Sequence, residues 1–125
     1  YNNQSGCGNA TRSESAMYNK FMRESLLYWA EEYNLDGFRF DLMGIHDYNT
    51  MNQIRSDMDK KFGEDKIVLY GEGWTGDGTY EQNSAHKANE DKLDADFGYF
   101  NDQIRDALKG EHKYGRERIL QTVDY

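Results

Sequence analysis

The spacing of apolar residues predicts an amphipathic helix in the N-terminal part of the chain. Apolar side chains recur there every three or four residues, which places them on one face of a helix. They are Tyr18, Met22, Leu26, Trp29 and Tyr33. Thr11 and Glu14 have the spacing of a capping box, so we expect the helix to begin near them. Asn34 suits its end, where a left-handed backbone conformation is common.

A second apolar stripe predicts a helix over residues 50–62. Asn49 is a suitable cap before this helix, and Gly63 is a suitable stop after it. The stripe consists of Met51, Ile54, Met58 and Phe62. We expect this face to pack against the interior of the domain.

Strands are predicted on either side of the second helix. Residues 37–42 alternate and are rich in aromatic side chains, which is typical of a strand. Residues 67–71 are nearly all apolar, as in a strand buried on both faces of a parallel sheet. Residues 96–100 are a candidate third strand, and a third helix is predicted to begin at Asn101 or Asp102 and to end at Gly110. Helices that alternate with strands in this way predict an α/β fold with a parallel sheet and right-handed crossovers.

The composition narrows the class of protein further. The chain has 125 residues and a net charge of −8, and it contains ten Tyr, six Phe and two Trp. We therefore expect at most one small domain with a packed core. The negative charge argues against a nucleic-acid partner, because binding to phosphates needs clustered Lys and Arg. No apolar run approaches the ~20 residues of a membrane span, so no membrane partner is expected.

Cysteine content and the two ends of the chain add two expectations. The single cysteine, Cys7, excludes an internal disulfide and a cysteine zinc site. With no signal stretch at the N-terminus, the cellular location stays open between a bacterial cytoplasm and secretion. The chain lacks proline, opens in a loop-like segment and ends in the apolar residues 119–125. We therefore expect it to be an excerpt of a larger protein.

Two acidic residues stand at the ends of the first two predicted strands. Asp41 ends the first strand and Glu72 the second, 31 positions later, which is the length of one βαβ repeat. In α/β folds the chemistry collects at the carboxyl ends of the strands. Neighbouring strands would bring the two carboxyl groups to ~5–5.5 Å, the separation used by glycosidases that retain the anomeric configuration. A single acidic residue at a strand end is common, because such residues often cap helices or anchor loops. The prediction of a catalytic site therefore rests on Asp41 and Glu72 together.

The neighbours of the two carboxylates suggest different roles for them. Arg39 lies two residues before Asp41 and points to the same side of the strand, so it would hold Asp41 ionised as a nucleophile requires. A purely structural ion pair is the alternative for Arg39. Glu72 follows an apolar strand and lies between Gly71 and Gly73, close to Trp74. Burial beside aromatic surface would favour the protonated carboxyl, as a general acid requires.

Three further residues are candidates for substrate binding. Trp74 could stack on a sugar ring beside the acid, or it could be part of the core. His46 could hydrogen-bond substrate hydroxyls, or it could anchor its loop, and the same alternatives apply to Asp47. Asp94 and Asp96 lack the third ligand and the twelfth-position Glu of a calcium-binding loop. The chain thus offers no metal or cofactor site, and calcium binding by a larger protein is left open.

Several motifs resemble one enzyme family, in order and with natural spacing. Residues 37–44, GFRFDLMG, resemble the nucleophile strand of the α-amylase superfamily (glycoside hydrolase family thirteen). With residues 45–47 added, the run is similar to type I pullulanases, and residues 70–74, YGEGW, resemble the acid/base strand of the same enzymes. Residues 5–9, 100–102 and 105–110 resemble the flanking regions of these enzymes. The resemblance runs from residue 1 to about residue 110.

The resemblance implies a part of a (β/α)8 barrel that carries the nucleophile strand and the acid/base strand. All 125 residues would belong to one catalytic domain. The implied reaction is retaining hydrolysis of α-1,6 branch linkages in pullulan, starch or glycogen, so the expected partner is a branched α-glucan. Asp41 would be the nucleophile, Glu72 the acid/base, and Arg39 would bind and orient at the nucleophile.

The departures from the family pattern keep alternatives open. The family has a third catalytic carboxylate, preceded by His, near its seventh strand, and no residue here matches it. His46-Asp47 follows the nucleophile and is not that element. We therefore expect the isolated chain to be inactive and unable to fold as a stable monomer. The alternatives are another glucan hydrolase of the superfamily or a non-catalytic carbohydrate-binding piece, although a binding module has no need of paired carboxylates at consecutive strand ends.

Overall fold

The computed structural model describes residues 3–109 of the chain, which form an alternation of helices and parallel strands. The elements are α1 (Ala16–Tyr33), β1 (Gly37–Phe40), α2 (Tyr48–Phe62), β2 (Val68–Gly71), β3 (Phe97–Tyr99) and α3 (Asp102–Lys109). Short 3-10 helices follow β1 at Met43–Ile45 and precede β3 at Lys87–Lys92. The predicted α/β class is confirmed. The predicted helix end at Gly110 and the apolar residues 119–125 lie outside the described residues.

The sheet has three parallel strands in the order β1–β2–β3. Gly37 lies opposite Val68 and Phe40 opposite Gly71, while Tyr99 of β3 also lies opposite Gly71. This register aligns the carboxyl ends of all three strands at one edge of the sheet. Residues that follow the three strands are therefore neighbours in space.

The first helix begins later than the capping-box pattern predicts. Ser15 is its N-terminal flanking residue, and Ala16 is the first helical residue. Glu14 pairs instead with Arg12, whose Nε lies 3.0 Å from a carboxylate oxygen of Glu14. The predicted start near Thr11 is wrong because the segment before Ser15 forms turns. The predicted end is correct, since Asn34 adopts the left-handed conformation with φ 51°.

The apolar stripe predicted for α1 is buried only in part. Met22 is buried and so is Ala30, but Trp29 and Tyr33 are exposed. Polar side chains add to the contact with α2, since Asn19 and Arg23 bind residues of that helix. The buried face of α1 therefore includes polar positions and leaves out the last two residues of the predicted stripe.

The second helix carries the core as predicted, although it begins earlier. Asp47 is its cap in place of Asn49, and Tyr48 is its first residue. Met51, Ile54 and Met58 are buried and pack in one cluster with Phe40, Met43, Leu69 and Phe97. The cluster fills the space between α2 and one face of the sheet.

The second strand is buried on one face, so the prediction of burial on both faces is wrong for the described residues. Leu69 and Gly71 are buried, whereas Val68 and Tyr70 are exposed. Side chains alternate across a strand, and α2 covers only the face that carries Leu69. We call the opposite side, with Arg39, Val68, Tyr70 and Gly98, the open sheet face. In the part of the chain that the structure describes, no helix is long and apolar enough to cross a membrane.

Candidate active site at the carboxyl edge of the sheet

Arg39 joins the two predicted catalytic carboxylates at the carboxyl edge of the sheet. Its Nη1 lies 2.9 Å from Asp41 Oδ1, and its Nη2 lies 2.9 Å from Glu72 Oε1. The two acids therefore lie on the same side of the sheet, as predicted. Their expected separation of ~5–5.5 Å stays a prediction.

Strand alternation explains why these side chains meet. Arg39 lies opposite Tyr70 in the register, so Asp41 and Glu72, each two residues further along, point to the open sheet face as well. Pairing continues beyond β2, because the Glu72 amide donates to the Phe40 carbonyl at 3.0 Å. Both carboxylates are thus positioned by a regular element and not by a long loop.

The backbone after β1 also fixes the Glu72 carboxylate. Leu42 adopts a left-handed conformation, with φ 46°, and its amide donates to Glu72 Oε2 at 2.8 Å. The amide of Gly44 donates to the Glu72 carbonyl at 3.0 Å. Each oxygen of the Glu72 carboxylate therefore has a donor, one from Arg39 and one from the backbone.

The two carboxylates differ in their access to solvent. The Asp41 side chain is 75% exposed, whereas that of Glu72 is 17% exposed. The hydrogen bond to Asp41, followed by the charges of Glu72 and Asp41, raises the pKa of Arg39. Arg39 therefore remains a cation between the two acids. The Asp41 carboxylate is therefore open to solvent, whereas the Glu72 carboxylate is held against the protein.

Aromatic rings form a wall beside this cluster. The guanidinium carbon of Arg39 lies 5.5 Å from the centre of the Phe100 ring. Trp74 and Tyr70 contact the same ring, with centres 6.1 and 5.9 Å away. A cavity of about 290 Å³ opens between Glu72, the rings of Trp74 and Phe100, and the first turn of α3. Trp74 thus lies where the sequence predicted it, and its stacking on a sugar stays a prediction.

The residues after β3 are site residues that our sequence analysis missed. Phe100, Asn101, Asp102 and Arg105 line the cavity with Arg39 and Glu72. The signal for them was present, because they follow the third strand just as Asp41 and Glu72 follow the first two. The same carboxyl-edge rule, applied to β3, predicts this part of the site.

Asp47 lies away from the Arg39 cluster and caps α2. It is buried, its Oδ2 accepts from the Thr50 amide at 2.9 Å, and its Oδ1 accepts from the Ser13 hydroxyl at 2.6 Å. The Asp47 amide in turn donates to the Ser13 oxygen at 2.7 Å. Both carboxylate oxygens are used inside the chain, which supports an anchoring role and not the predicted contact with substrate.

His46 also lies in the loop interior and outside the cavity. Its backbone binds Met43 and Ala85, and within the described residues its buried Nδ1 has no hydrogen-bond partner. Burial lowers the pKa of His46, so the ring is neutral at pH 7. The position agrees with the alternative that His46 anchors its loop.

Metal ligands are not clustered in the described part of the chain. Among residues 3–109, no group of three or more His, Cys, Asp or Glu side chains is arranged to hold a metal ion. Asp41 and Glu72 contact Arg39 instead, and this cation occupies the position between them.

The chain is thus an α/β protein with two carboxylates and an arginine at the carboxyl edge of a parallel sheet, where α/β folds place their functional sites. Its relatives are more specific. The chain is 43% identical to the pullulanase of Bacillus subtilis (strain 168) over 110 residues, which cover 86% of this chain and 15% of that protein. It is 37% identical to chloroplastic pullulanase 1 of Arabidopsis thaliana over 119 residues, which cover 89% of this chain and 12% of that protein. No family model matches the chain.

Solved structures give the same result. The pullulanase of Paenibacillus barengoltzii, in complex with maltohexaose and α-cyclodextrin, matches with a TM-score of 0.78 and 42% identity over 87% of this chain and 17% of that one. The pullulanase of Anoxybacillus sp. LM18-11, in complex with maltotetraose, matches with a TM-score of 0.79 and 40% identity over 88% of this chain and 16% of that one. Over most of its length the chain is homologous to a segment of pullulanases, which confirms the predicted resemblance. It spans 12–17% of the length of these relatives.

Proposed function

We propose that the chain is the part of a pullulanase-type glycoside hydrolase that carries its nucleophile and its acid/base. The substrate would be a branched α-glucan such as pullulan, starch or glycogen, and the bond cleaved would be an α-1,6 linkage. The observation that carries the proposal is the Arg39 bridge between Asp41 and Glu72 at the carboxyl edge of the sheet. The homology to pullulanases supports the choice of substrate, and the activity belongs to the full-length protein that carries these residues.

The proposed reaction proceeds in two displacements with retention of configuration. Asp41 attacks the anomeric carbon and forms a glycosyl-enzyme ester, while Glu72 donates its proton to the departing glycosidic oxygen. Glu72, now a carboxylate, takes a proton from water, and that water displaces Asp41 from the anomeric carbon. The exposure of Asp41 supports its role as the attacking group, and the place of Glu72 beside the cavity supports its role as the proton donor.

Arg39 would keep the two carboxyl groups in their working positions. It binds one oxygen of each acid and leaves the second oxygen of Asp41 available to the sugar. Its positive charge offsets the repulsion between the two acids before substrate arrives. The contacts of Arg39 with Asp41 and Glu72 can therefore be structural ion pairs and position the two acids at the same time.

Trp74 would supply the sugar-binding surface. It flanks the cavity next to Glu72, and an aromatic face suits the apolar side of a glucose ring. Related pullulanases form complexes with maltohexaose and with maltotetraose, which supports a glucan as the ligand. His46 and Asp47 would support the loop beneath this surface.

The chain would be part of one catalytic (β/α)8 barrel domain that includes all 125 residues. The open sheet face supports this proposal, since Arg39, Tyr70 and Glu72 point to it as side chains point into a barrel. The parallel order of β1, β2 and β3 supports it as well. The barrel would bury Val68 and Tyr70, which explains the apolar character of both faces of β2.

The proposal is tested by paired substitutions in the full-length protein. We expect Asp41→Asn to reduce reducing-end release from pullulan below about one-thousandth of the original rate, without loss of fold. Glu72→Gln should slow pullulan hydrolysis by roughly 10²–10⁴-fold, but should spare formation of the glycosyl-enzyme from a maltosyl fluoride, whose leaving group needs little protonation. The matched controls are Asp36→Asn before β1 and Glu24→Gln on α1, which lie away from the cavity.

Near-normal activity of both Asp41→Asn and Glu72→Gln on pullulan would contradict the assignment. Proton NMR of the first product gives an independent check, because a retaining enzyme releases the α-anomer. A β-anomer would exclude the covalent intermediate on Asp41. Binding of maltooligosaccharides without any hydrolysis would favour the non-catalytic alternative.

A further inference from the structure

The ring of Phe100 contacts Arg39, which binds both acids, and also the rings of Tyr70 and Trp74. It follows β3 and lies on the open sheet face, beside Arg39 of β1 and Tyr70 of β2. The Arg39 guanidinium carbon is 5.5 Å from the ring centre. The ring is therefore within the range of a cation–π interaction with the group that binds both acids.

We propose that Phe100 is a positioning residue that holds the Arg39 guanidinium in the orientation that binds Asp41 and Glu72 together. The inference rests on the proposed function, and it adds a residue that acts on the reaction through Arg39. Phe100 itself donates no proton and forms no bond to the sugar.

Arg39 gains from such a support because only one of its two carboxylate partners, Glu72, is shielded from solvent. Its side chain is 41% exposed, and its partner Asp41 is 75% exposed. A long side chain at an exposed ion pair loses entropy when it is held in one conformation, so the pair alone holds it weakly. An aromatic ring over the guanidinium restricts it without competing for the hydrogen bonds that the two carboxylates need.

The ring is itself fixed by its surroundings. Tyr70 contacts it edge-on, with ring planes 67° apart, and Trp74 contacts it at a tilt of 43°. The carbonyl of Phe100 accepts from Lys87 Nζ at 3.5 Å. Phe100 is therefore held in place by its neighbours, and its ring in turn restricts the Arg39 side chain on β1.

The experiment replaces Phe100 in the full-length protein with phenylalanines that carry one, two and five fluorine atoms. Fluorine withdraws charge from the ring face and weakens the attraction for a cation, while the shape of the side chain changes little. We expect kcat on pullulan to fall stepwise with fluorine number, by about two- to fivefold in total, with KM unchanged. Phe100→Tyr keeps the ring and should retain kcat.

The matched control is Phe62, whose ring also lies under a cation, with Lys61 Nζ 5.8 Å from its centre. It lies at the end of α2, away from the cavity, so the same fluorinated series at Phe62 should leave kcat unchanged. A flat response of kcat at Phe100, or an effect confined to KM, would overturn the inference. An effect on KM alone would instead mean that the ring contacts sugar.

A second readout separates this inference from the proposed function. The exchange of the Arg39 Nη groups, followed by ¹⁵N NMR, reports restricted rotation of the guanidinium without any substrate. We expect slow rotation with Phe100 and faster rotation with the pentafluoro ring. Equal rates would overturn the role of Phe100 even if pullulan is cleaved, whereas slow rotation in a protein that cleaves no glucan would contradict only the proposed function.

Discussion

Replacement of Asp47 by alanine should destabilise the start of α2 without any direct effect on sugar binding. The carboxylate accepts from the Thr50 amide and from the Ser13 hydroxyl, at 2.9 and 2.6 Å. Both Asp47 and Ser13 are nearly inaccessible to solvent, with exposures of 5% and 1%. Water therefore cannot replace the lost acceptor in the folded protein.

The size of the effect follows from these two contacts. Loss of a helix N-cap costs about 0.5–2 kcal/mol. A buried hydroxyl without an acceptor costs about 1–3 kcal/mol. Together they predict a loss of about 1.5–5 kcal/mol in the free energy of opening the first turn of α2, because Asp47 serves both donors.

Hydrogen exchange at the Thr50 amide measures this free energy directly. A tenfold change in exchange corresponds to ~1.4 kcal/mol, so Asp47→Ala should accelerate exchange by roughly 10- to 4000-fold. The control is Asn49→Ala, which removes the cap predicted from the sequence and should change little. Unaltered exchange, together with a raised KM for pullulan, would refute the anchoring role and restore Asp47 as a substrate ligand.

Two further predictions concern the loop between β1 and α2. A methyl group at Gly44 would lie 2.5 Å from the backbone oxygen of Trp74. Gly44→Ala should therefore displace Trp74, lower the free energy of unfolding by about 1–3 kcal/mol and raise the KM for pullulan. An unchanged melting temperature and KM would contradict this contact. Burial lowers the pKa of His46, so the unfolded chain binds more protons below pH ~6.5, and the stability present above that pH falls as the pH drops towards the lowered value. In His46→Gln the melting temperature should therefore fall less between pH 7.5 and 5.5 than in the original protein, and an equal fall would show that another group is responsible.

The parts of the fold that could be predicted are those in which local pattern and burial agree. The stripe of α2 faces the sheet, so its apolar spacing identifies both the helix and the core. In α1 the pattern misled, because Asn19 and Arg23 are polar yet pack against α2 through Thr50 and Asp57. A sequence pattern assigns such side chains to solvent, since their partners lie 31 and 34 positions away.

The candidate site divides in the same way. Arg39 and Asp41 share a face because strands alternate, and this rule needs only the sequence. The role of Asp47 depends on Ser13, a residue 34 positions earlier in a segment without regular structure. No periodicity links the two, so a buried helix cap could not be told from a substrate ligand. Phe100 directly follows β3, so the rule that sites form at the carboxyl ends of strands predicts its position as well.

Arg55 connects α2 to the start of β2, the strand that Glu72 follows. This arginine is 2% exposed, donates to the Ile67 carbonyl at 2.7 Å and pairs with Asp59 on its own helix. A slip of β2 by one residue would break the bond to Ile67 and remove one of the acceptors of this buried cation. The same slip would turn Glu72 towards the helix layer, on the far side of the sheet from Asp41. Arg55, on the helix side of the sheet, thus favours the register of β2 that keeps Asp41 and Glu72 on the same side.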